Sequence, residues 1–457
     1  MIQKKKNNVY SITAGELAAL GKNQVPDELL SAKHLIYSSP ATLAFNSPGA
    51  QGFGVKRAGL AVPGSVMLLV APGCCGRNTQ LLHAPGGLGE KFFFLLQDDT
   101  DIVTGRHLNK ISKAVKEVVD SLEEKPSCVM ICITCVDALL GTDMERVCRK
   151  ASGFSGVPVL PCYMYALTRE GRIPPMVAVR KTVYSLLEPA KKDPKAVNLL
   201  GEFAPYDDSC EIYPLLKSIG IERIREISRC ENFEEYKRMA EANFNLILNP
   251  ESRHAAEDIR KRLNIPSIEL SRVYQIDKIH HQYELLGSAL GVTFDDRKYK
   301  EEAEAAVNTF NEKHGSLRFA VGEWVNGDPF EMALSLIRYG HQVTEIYGTV
   351  TDANFVYIKN LAKESPETKI FTNLSPTMLN YDCSEITADV SIGKDAGFYN
   401  ISCPNVPFNE ENKPFGYAGV KKLFCLLDSV LSACGSPCGT GDKNRSNQID
   451  HKQEVTK

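Results

Sequence analysis

The sequence predicts an α/β protein built as three doubly wound, Rossmann-like domains, each around a parallel sheet. Three observations carry that expectation. The run Cys128 to Cys135 is unbroken in its apolar character, as expected of a strand buried on both faces. Leu108, Ile111, Val115, Val118 and Leu122 recur at three- and four-residue steps and mark an amphipathic helix. Strand-like and helix-like segments then alternate through three successive blocks, the pattern of doubly wound sheets.

The first block, residues 1–190, contains the apolar run Val66-Met-Leu-Leu-Val70, the helix through Val115 and the strand from Cys128. Asp143 to Lys150 reads as the next helix and Gly156-Val-Pro-Val-Leu160 as the next strand. A Lys/Pro-rich linker, Lys191-Lys-Asp-Pro-Lys195, closes it. In the second block, residues 196–315, Val197 to Phe203 and Phe244 to Leu248 are strand-like, while Tyr213 to Ile219 and Ala255 to Leu263 are helical. Ile265 to Leu270 follows, and the charged stretch Asp295 to Lys313 reads as a long connecting helix. The third block, residues 316–432, opens at Leu317-Arg-Phe-Ala-Val-Gly-Glu-Trp324 and continues helix, strand, helix through Leu431. Residues 433–457 are polar without an apolar period and are expected to be disordered.

Composition narrows the function. A chain of 457 residues suits about three domains. With 43% hydrophobic and 24% charged residues and a net charge of −3, it lacks the basic balance of a nucleic-acid binder. The run Lys4-Lys5-Lys6 is too short to alter that and reads as a solvated tail. No segment approaches the roughly 18 apolar residues of a membrane span, and the N-terminus lacks a signal peptide's apolar core and cleavage site. A cytoplasmic protein without membrane association is expected. Its 14 cysteines should then be reduced, most of them buried as small hydrophobes.

Two cysteine-bearing loops stand apart. Ala71-Pro-Gly-Cys-Cys-Gly-Arg-Asn78 follows the first apolar run, and Thr134-Cys135-Val-Asp-Ala-Leu-Leu-Gly-Thr-Asp143 follows the second. Ends of parallel strands converge on one rim, so these thiols can meet there. Thiolates at such a rim are natural ligands for an iron–sulfur cluster. Cys75 and Cys135 are the candidate ligands, with Cys74 as the competitor to Cys75. Side chains of neighbouring residues on extended backbone point apart, so one of that pair is expected to bind. Two cysteines do not complete a four-thiolate site. Two copies of the loop pair across a twofold axis do, and so does a partner that supplies the missing donors.

Other candidates have plainer readings. Cys128, Cys132 and Cys162 belong to strands and are expected in the core. Cys434 and Cys438 form a Cys-x-x-x-Cys pair with no further ligand nearby. His280 and His281 are adjacent and cannot chelate as an i, i+4 pair would. Gly322-Glu-Trp-Val-Asn-Gly327 follows a strand, but its spacing is not that of a dinucleotide loop. Asp137 and Asp143 lie near Cys135 as possible proton relays, with a helix N-terminal role the competing reading for Asp143.

Together these segments resemble the nitrogenase component 1 family over most of residues 35–432. Pro72-Gly-Cys-Cys-Gly76 is similar to the loop carrying that family's second cluster cysteine, and Thr134-Cys135 with Leu140-Gly141 and Asp143 to the loop carrying the third. Asp101-Ile-Val-Thr-Gly105, Leu246 to Ile268 and Phe415-Gly-Tyr-Ala-Gly419 resemble further family segments in the same order. There are departures. No cysteine precedes Cys74, so the first cluster cysteine, which would fall near Asn46-Ser-Pro-Gly-Ala50, is missing. The cysteine and histidine that hold the family's molybdenum–iron cofactor would fall near Ala256 and Val406. No conventional molybdenum–iron cofactor is therefore expected.

The resemblance implies an oxidoreductase subunit with a 4Fe-4S cluster shared between subunits, either with a second component 1-type subunit or with itself as a homodimer. It also implies a separate iron–sulfur reductase that hydrolyses ATP, since this sequence has no Walker A motif. Two alternatives accompany that expectation: a scaffold on which a metallocofactor is assembled, and a cluster-free ligand-binding homologue.

Overall fold

The computed structural model describes residues 9–31, 39–45, 54, 58–73, 89–163, 173–410 and 414–435. Strand β1 (Ile12–Thr13) leads into helix α1 (Ala14–Leu20), which is closed by a capping box between Thr13 and Glu16. The first sheet follows: β2 (Val66–Ala71), β3 (Phe92–Leu96), β4 (Val129–Ile133) and β5 (Val159–Tyr163), in the order β3-β2-β4-β5 and parallel throughout. Every residue of the inner strands β2 and β4 is buried, whereas edge strand β3 is only partly covered. The apolar runs of the sequence are thus the sheet's interior.

Its helices are α2 (Asp99–Val103), α3 (His107–Ser121), α4 (Cys135–Leu139), α5 (Met144–Ser155) and α6 (Pro175–Val183). On one face, Ile111, Val115 and Val118 of α3 and Met144, Cys148 and Ala151 of α5 cover Val66, Leu68, Val70 and Ile131. On the other, Val179 and Val183 of α6 pack with Met67, Leu69, Cys132 and Cys162. The same cluster continues into Leu200, Ile247 and Ala255, so one core ties the first sheet to the second.

The second sheet is β6 (Asp193–Leu200), β7 (Arg223–Arg225), β8 (Ala242–Ile247) and β9 (Ser267–Glu269), parallel and ordered β7-β6-β8-β9. Helix α7 (Arg253–Leu263) covers it, and α8 (Arg297–His314) leads to the third sheet. There β10 (Arg318–Val321), β11 (Gln342–Tyr347), β12 (Lys369–Phe371), β13 (Val390–Ile392) and β14 (Asn405–Val406) run parallel, with β1 antiparallel on β12 at the far edge. The order is β1-β12-β11-β10-β13-β14. Helix α9 (Gly416–Gly435) packs beside α8, with Phe310 against Phe424.

Several boundaries differ from expectation for local reasons. The chain leaves β4 at Ile133 and is helical from Cys135, shorter than the apolar run Cys128 to Cys135. Strand β5 begins at Val159, after Pro158. Asp193-Pro-Lys195 opens β6, where Asp193 is drawn in by pairing with Ala242 and by Arg223, so that part of the expected linker is strand. Helix α9 runs on to Gly435, and residues 436–457 lie outside the described residues, as does Lys4-Lys5-Lys6. Among the described residues no helix is long and apolar enough to cross a membrane.

Candidate functional site

Because the first and second sheets are parallel throughout, their strands deliver their C-terminal ends to one rim, where side chains escape the ladder. At the first rim β4 ends, buried Thr134 follows, and Cys135 opens α4. Cys135 is half-buried, whereas Cys128, Cys132 and Cys162 are fully buried. Burial pushes the Cys128 thiol up to about 12. The Cys162 thiol is driven well above its ordinary range by hydrogen bonding to Cys132 across β4 and β5, then by burial. Cys128 and Cys162 stay protonated, and all three strand thiols pack as hydrophobes, the expected core role. Cys135 alone in that run reaches the rim.

Cys74 and Cys75 lie outside the described residues, as does the segment Asn46-Ser-Pro-Gly-Ala50. Gly73, directly before Cys74, is two residues past the end of β2, and β2 is the ladder neighbour of β4. Among the described residues no three His, Cys, Asp or Glu side chains gather as a metal site. The donor set described therefore suits a cluster only as one thiol of a site closed from elsewhere.

Behind Cys135 lies a buried polar group of residues. Gln97 follows β3, and His107 and Asp137 face each other with Nε2 3.3 Å from Oδ1. His107 Nδ1 lies 3.2 Å from the carbonyl of Asp101, which only accepts, so this nitrogen carries the proton. Thr142 donates to Asp137 Oδ1 at 3.3 Å. Burial raises the Asp137 carboxyl above its ordinary value, against the opposing pull of His107 and Thr142. Lys110 ion-pairs with Asp101 and holds that carboxyl low. The Thr134 hydroxyl and the Gln97 amide, both buried, have no hydrogen-bond partner among the described residues.

The remaining candidates are placed as follows. Asp143 is the N-cap of α5, accepting from the Arg146 N–H at 2.9 Å, the helix-terminal reading. His280 Nδ1 lies 2.9 Å from Asp296, and His281 is exposed beside Glu284. Gly322 follows β10 and sits against Asp395, where a Cβ would collide. Asp395 accepts from the Glu323 N–H and from Asn373 Nδ2, both at 2.7 Å, so this loop is closed on a side chain. Ala256 and Val406 are buried apolar positions. Cys434 lies on α9 with its side chain outside the described residues, and Cys438 is outside them altogether. Sequence reading missed the pairing of His107 with Asp137 and the buried charges Arg180, Glu202 and Arg272 at the second rim. Each pair is far apart along the chain, and no local spacing announces it.

Comparison with known proteins gives a consistent picture. Residues 50–428 match the family model described as Nitrogenase component 1 type Oxidoreductase. The nitrogenase iron-molybdenum cofactor biosynthesis protein NifE of Nostoc sp. is 27% identical over 197 residues, covering 42% of this chain and 40% of that protein. NifE of Rhodobacter capsulatus is 25% identical over 210 residues, 44% of each. NifE of Rippkaea orientalis is 22% identical over 355 residues, 73% of each. The matches to the first two relatives thus span less than half of their length. The solved structure of nitrogenase Cp1 at pH 6.5 superposes with a TM-score of 0.65 at 15% identity, over 92% of this chain and 99% of that one. At that identity the likeness shows the fold.

Proposed function

This chain belongs to the nitrogenase component 1 type oxidoreductase family, and from that premise we propose that it is a subunit holding an iron–sulfur cluster where two subunits meet. Cys135 and Cys75 are the ligands in this reading, with Cys74 the alternative to Cys75. The cluster is of the 4Fe-4S type, completed by a second copy of the chain or by a second component 1-type subunit. A separate ATP-hydrolysing reductase delivers the electrons, and the setting is cytoplasmic.

One observation carries the proposal: Cys135 is the thiol of the Cys128–Cys135 run that emerges half-buried at the rim, while its neighbours in the strand are sealed. Leu139 and Leu140, just after the thiol, are 76% and 52% exposed, apolar surface suited to cover by another protein. Bound there, a cluster supplies one-electron transfer that protein side chains do not provide. The chain's own part is ligation by Cys135, orientation of α4 through the buried His107–Asp137 contact, and exclusion of water by β2 and β4.

A second reading, a scaffold for cofactor assembly, is favoured by the relatives, which are named as cofactor biosynthesis proteins. Anaerobic purification with iron and acid-labile sulfide analysis tests the first point. Cys135→Ala is expected to lose its iron and Cys128→Ala to keep it; a colourless, iron-free parent protein ends the cluster reading. Mixing with a reductase then separates the two roles. Electron acceptance with iron retained supports the oxidoreductase, and iron passed to a recipient protein supports the scaffold.

A further inference from the structure

A cavity of about 570 Å³ lies against the β11–β12 ladder of the third sheet, a different sheet from the one that carries Cys135. Side chains alternate along a strand, so Glu345 and Tyr347 share a face of β11, and Lys369 and Phe371 share a face of β12. The register sets Glu345 opposite Lys369 and Tyr347 opposite Phe371. Tyr347 and Phe371 accordingly stack, with ring centres 5.5 Å apart and planes inclined by 24°. The segment after β12 packs on this face and adds Tyr381, Asp382 and Glu385 to the cavity wall.

Two rings form a corner there. Phe371 and Tyr381 both line the cavity, with centres 5.5 Å apart and planes at 80°, so the ring walls meet at nearly a right angle. The Tyr381 hydroxyl donates to Glu345 Oε2 at 2.7 Å, and the Tyr347 hydroxyl donates to the same atom at 2.8 Å. Burial, then the charge of Glu345, keeps Tyr381 protonated for that bond. Glu345 is only 3% exposed, yet it too lines the cavity. Its carboxylate is therefore held one hydrogen bond from the edge of the Tyr381 ring, beside the corner.

What this place lacks is a cation. Buried carboxylates are ordinarily paired with positive charge. Glu345 forms no ion pair with a described residue, and its Oε1 accepts no hydrogen bond from one. Lys369, opposite it in the ladder, lines the same cavity without pairing to it. Asp382 and Glu385 bring further carboxylates, so three stand against one lysine. Elsewhere in this molecule cations cover rings: Lys278 lies 4.9 Å from the centre of Tyr357, and Lys359 5.8 Å from that of Phe355. Among the described residues none covers Phe371 or Tyr381.

We propose that this cavity binds a small organic cation with an alkylammonium head, seated in the corner of Phe371 and Tyr381 and neutralised by Glu345. A diffuse, weakly hydrated charge gains from ring faces and a carboxylate together, whereas a hard metal ion asks for several oxygens. Among the described residues no three His, Cys, Asp or Glu side chains gather as a metal site, which accords with an organic ligand. The volume falls within the roughly 300 to 1,000 Å³ of small-molecule pockets. A second cavity of about 490 Å³ shares Glu345 and Lys369 but has no aromatic wall, so it is not the seat. This site goes beyond the cluster reading and stands without it.

Calorimetric titration of the full chain with choline tests the proposal, beside its uncharged isostere dimethylbutanol, in which carbon replaces nitrogen. Choline is expected to bind saturably, the isostere about tenfold more weakly, and Mg²⁺ at equal concentration is expected not to displace choline. Glu345→Gln keeps the shape, loses the charge and should weaken choline about tenfold. Phe371→Leu removes one ring wall and should weaken it about threefold. Lys369→Gln removes the competing positive charge and should tighten binding about twofold. Because Lys369 is exposed, that variant reads the charge even where Glu345→Gln does not fold. Cys135→Ala is expected to bind choline as the parent does, so the fate of the cluster reading leaves this result untouched. Absence of saturable choline binding, equal binding of the isostere, displacement by Mg²⁺ or weaker binding in Lys369→Gln overturns it.

Discussion

The first sheet, β3-β2-β4-β5, and the second, β7-β6-β8-β9, place their strands in the same relative order, so their backbones offer equivalent rims. Cys135 stands two residues beyond the end of β4, and Glu202 two residues beyond the end of β6. The first rim carries a thiol backed by groups that are uncharged or paired with one another: Gln97, Thr134, and His107 with Asp137. The second carries buried charge, with Arg180 and Arg272 around Glu202. Topology therefore chooses where a ligand can sit, and the one or two residues past each strand choose what chemistry meets it.

The largest expected effects come from crossing the two rims. Cys135→Ala is expected to abolish iron binding and leave unfolding stability nearly unchanged, while Glu202→Gln keeps the iron and loses stability. Loss of both iron and stability in either variant would show the two rims to be coupled and break the comparison.

Charge at the second rim should also dominate its stability. Glu202→Gln leaves buried Arg272 without its counter-ion, while Arg180 keeps Glu251, and is expected to cost roughly 3 kcal/mol in urea unfolding. A cost under about 1 kcal/mol would show that water already screens the pair.

The third sheet adds a pH-dependent contrast. His341 is buried among Phe310, Phe319 and Phe424, and burial lowers its pKa from the ordinary 6.5 to about 4. The unfolded chain binds this proton first as pH falls. Its stabilising contribution is complete above pH 6.5 and is lost as pH falls toward 4, up to roughly 3 kcal/mol. Thermal melts from pH 7 to 4 should show this loss in the parent and a flatter profile in His341→Leu.

The smallest effect is expected at the first rim. Thr134→Val replaces an unpartnered buried hydroxyl by a methyl group of the same shape, so stability should change by less than about 1 kcal/mol. A larger loss would mean that the hydroxyl is already engaged.

Much of this was legible in one dimension. The residues of β2 and β4 read as buried strands because strands covered on both faces need apolar side chains at every position. Helix α3 was visible in the spacing of Ile111, Val115 and Val118, and the capping role of Asp143 in its place before α5. Strand β1 was not legible: two residues carry no period, and only the edge of β12 gives them a partner. Arg272 was equally silent, since an arginine in a loop is ordinary until its surroundings are known.

By itself the sequence determined the α/β class, the alternation of elements and the thiols worth watching, because periodicity and strand burial are local consequences of side-chain type. Only the tertiary structure decided which thiol of the Cys128–Cys135 run leaves the core, which carboxylate His107 faces and which arginine is buried with unmet donors. Those properties depend on groups brought together from distant positions, where burial and charge act through space and not along the chain.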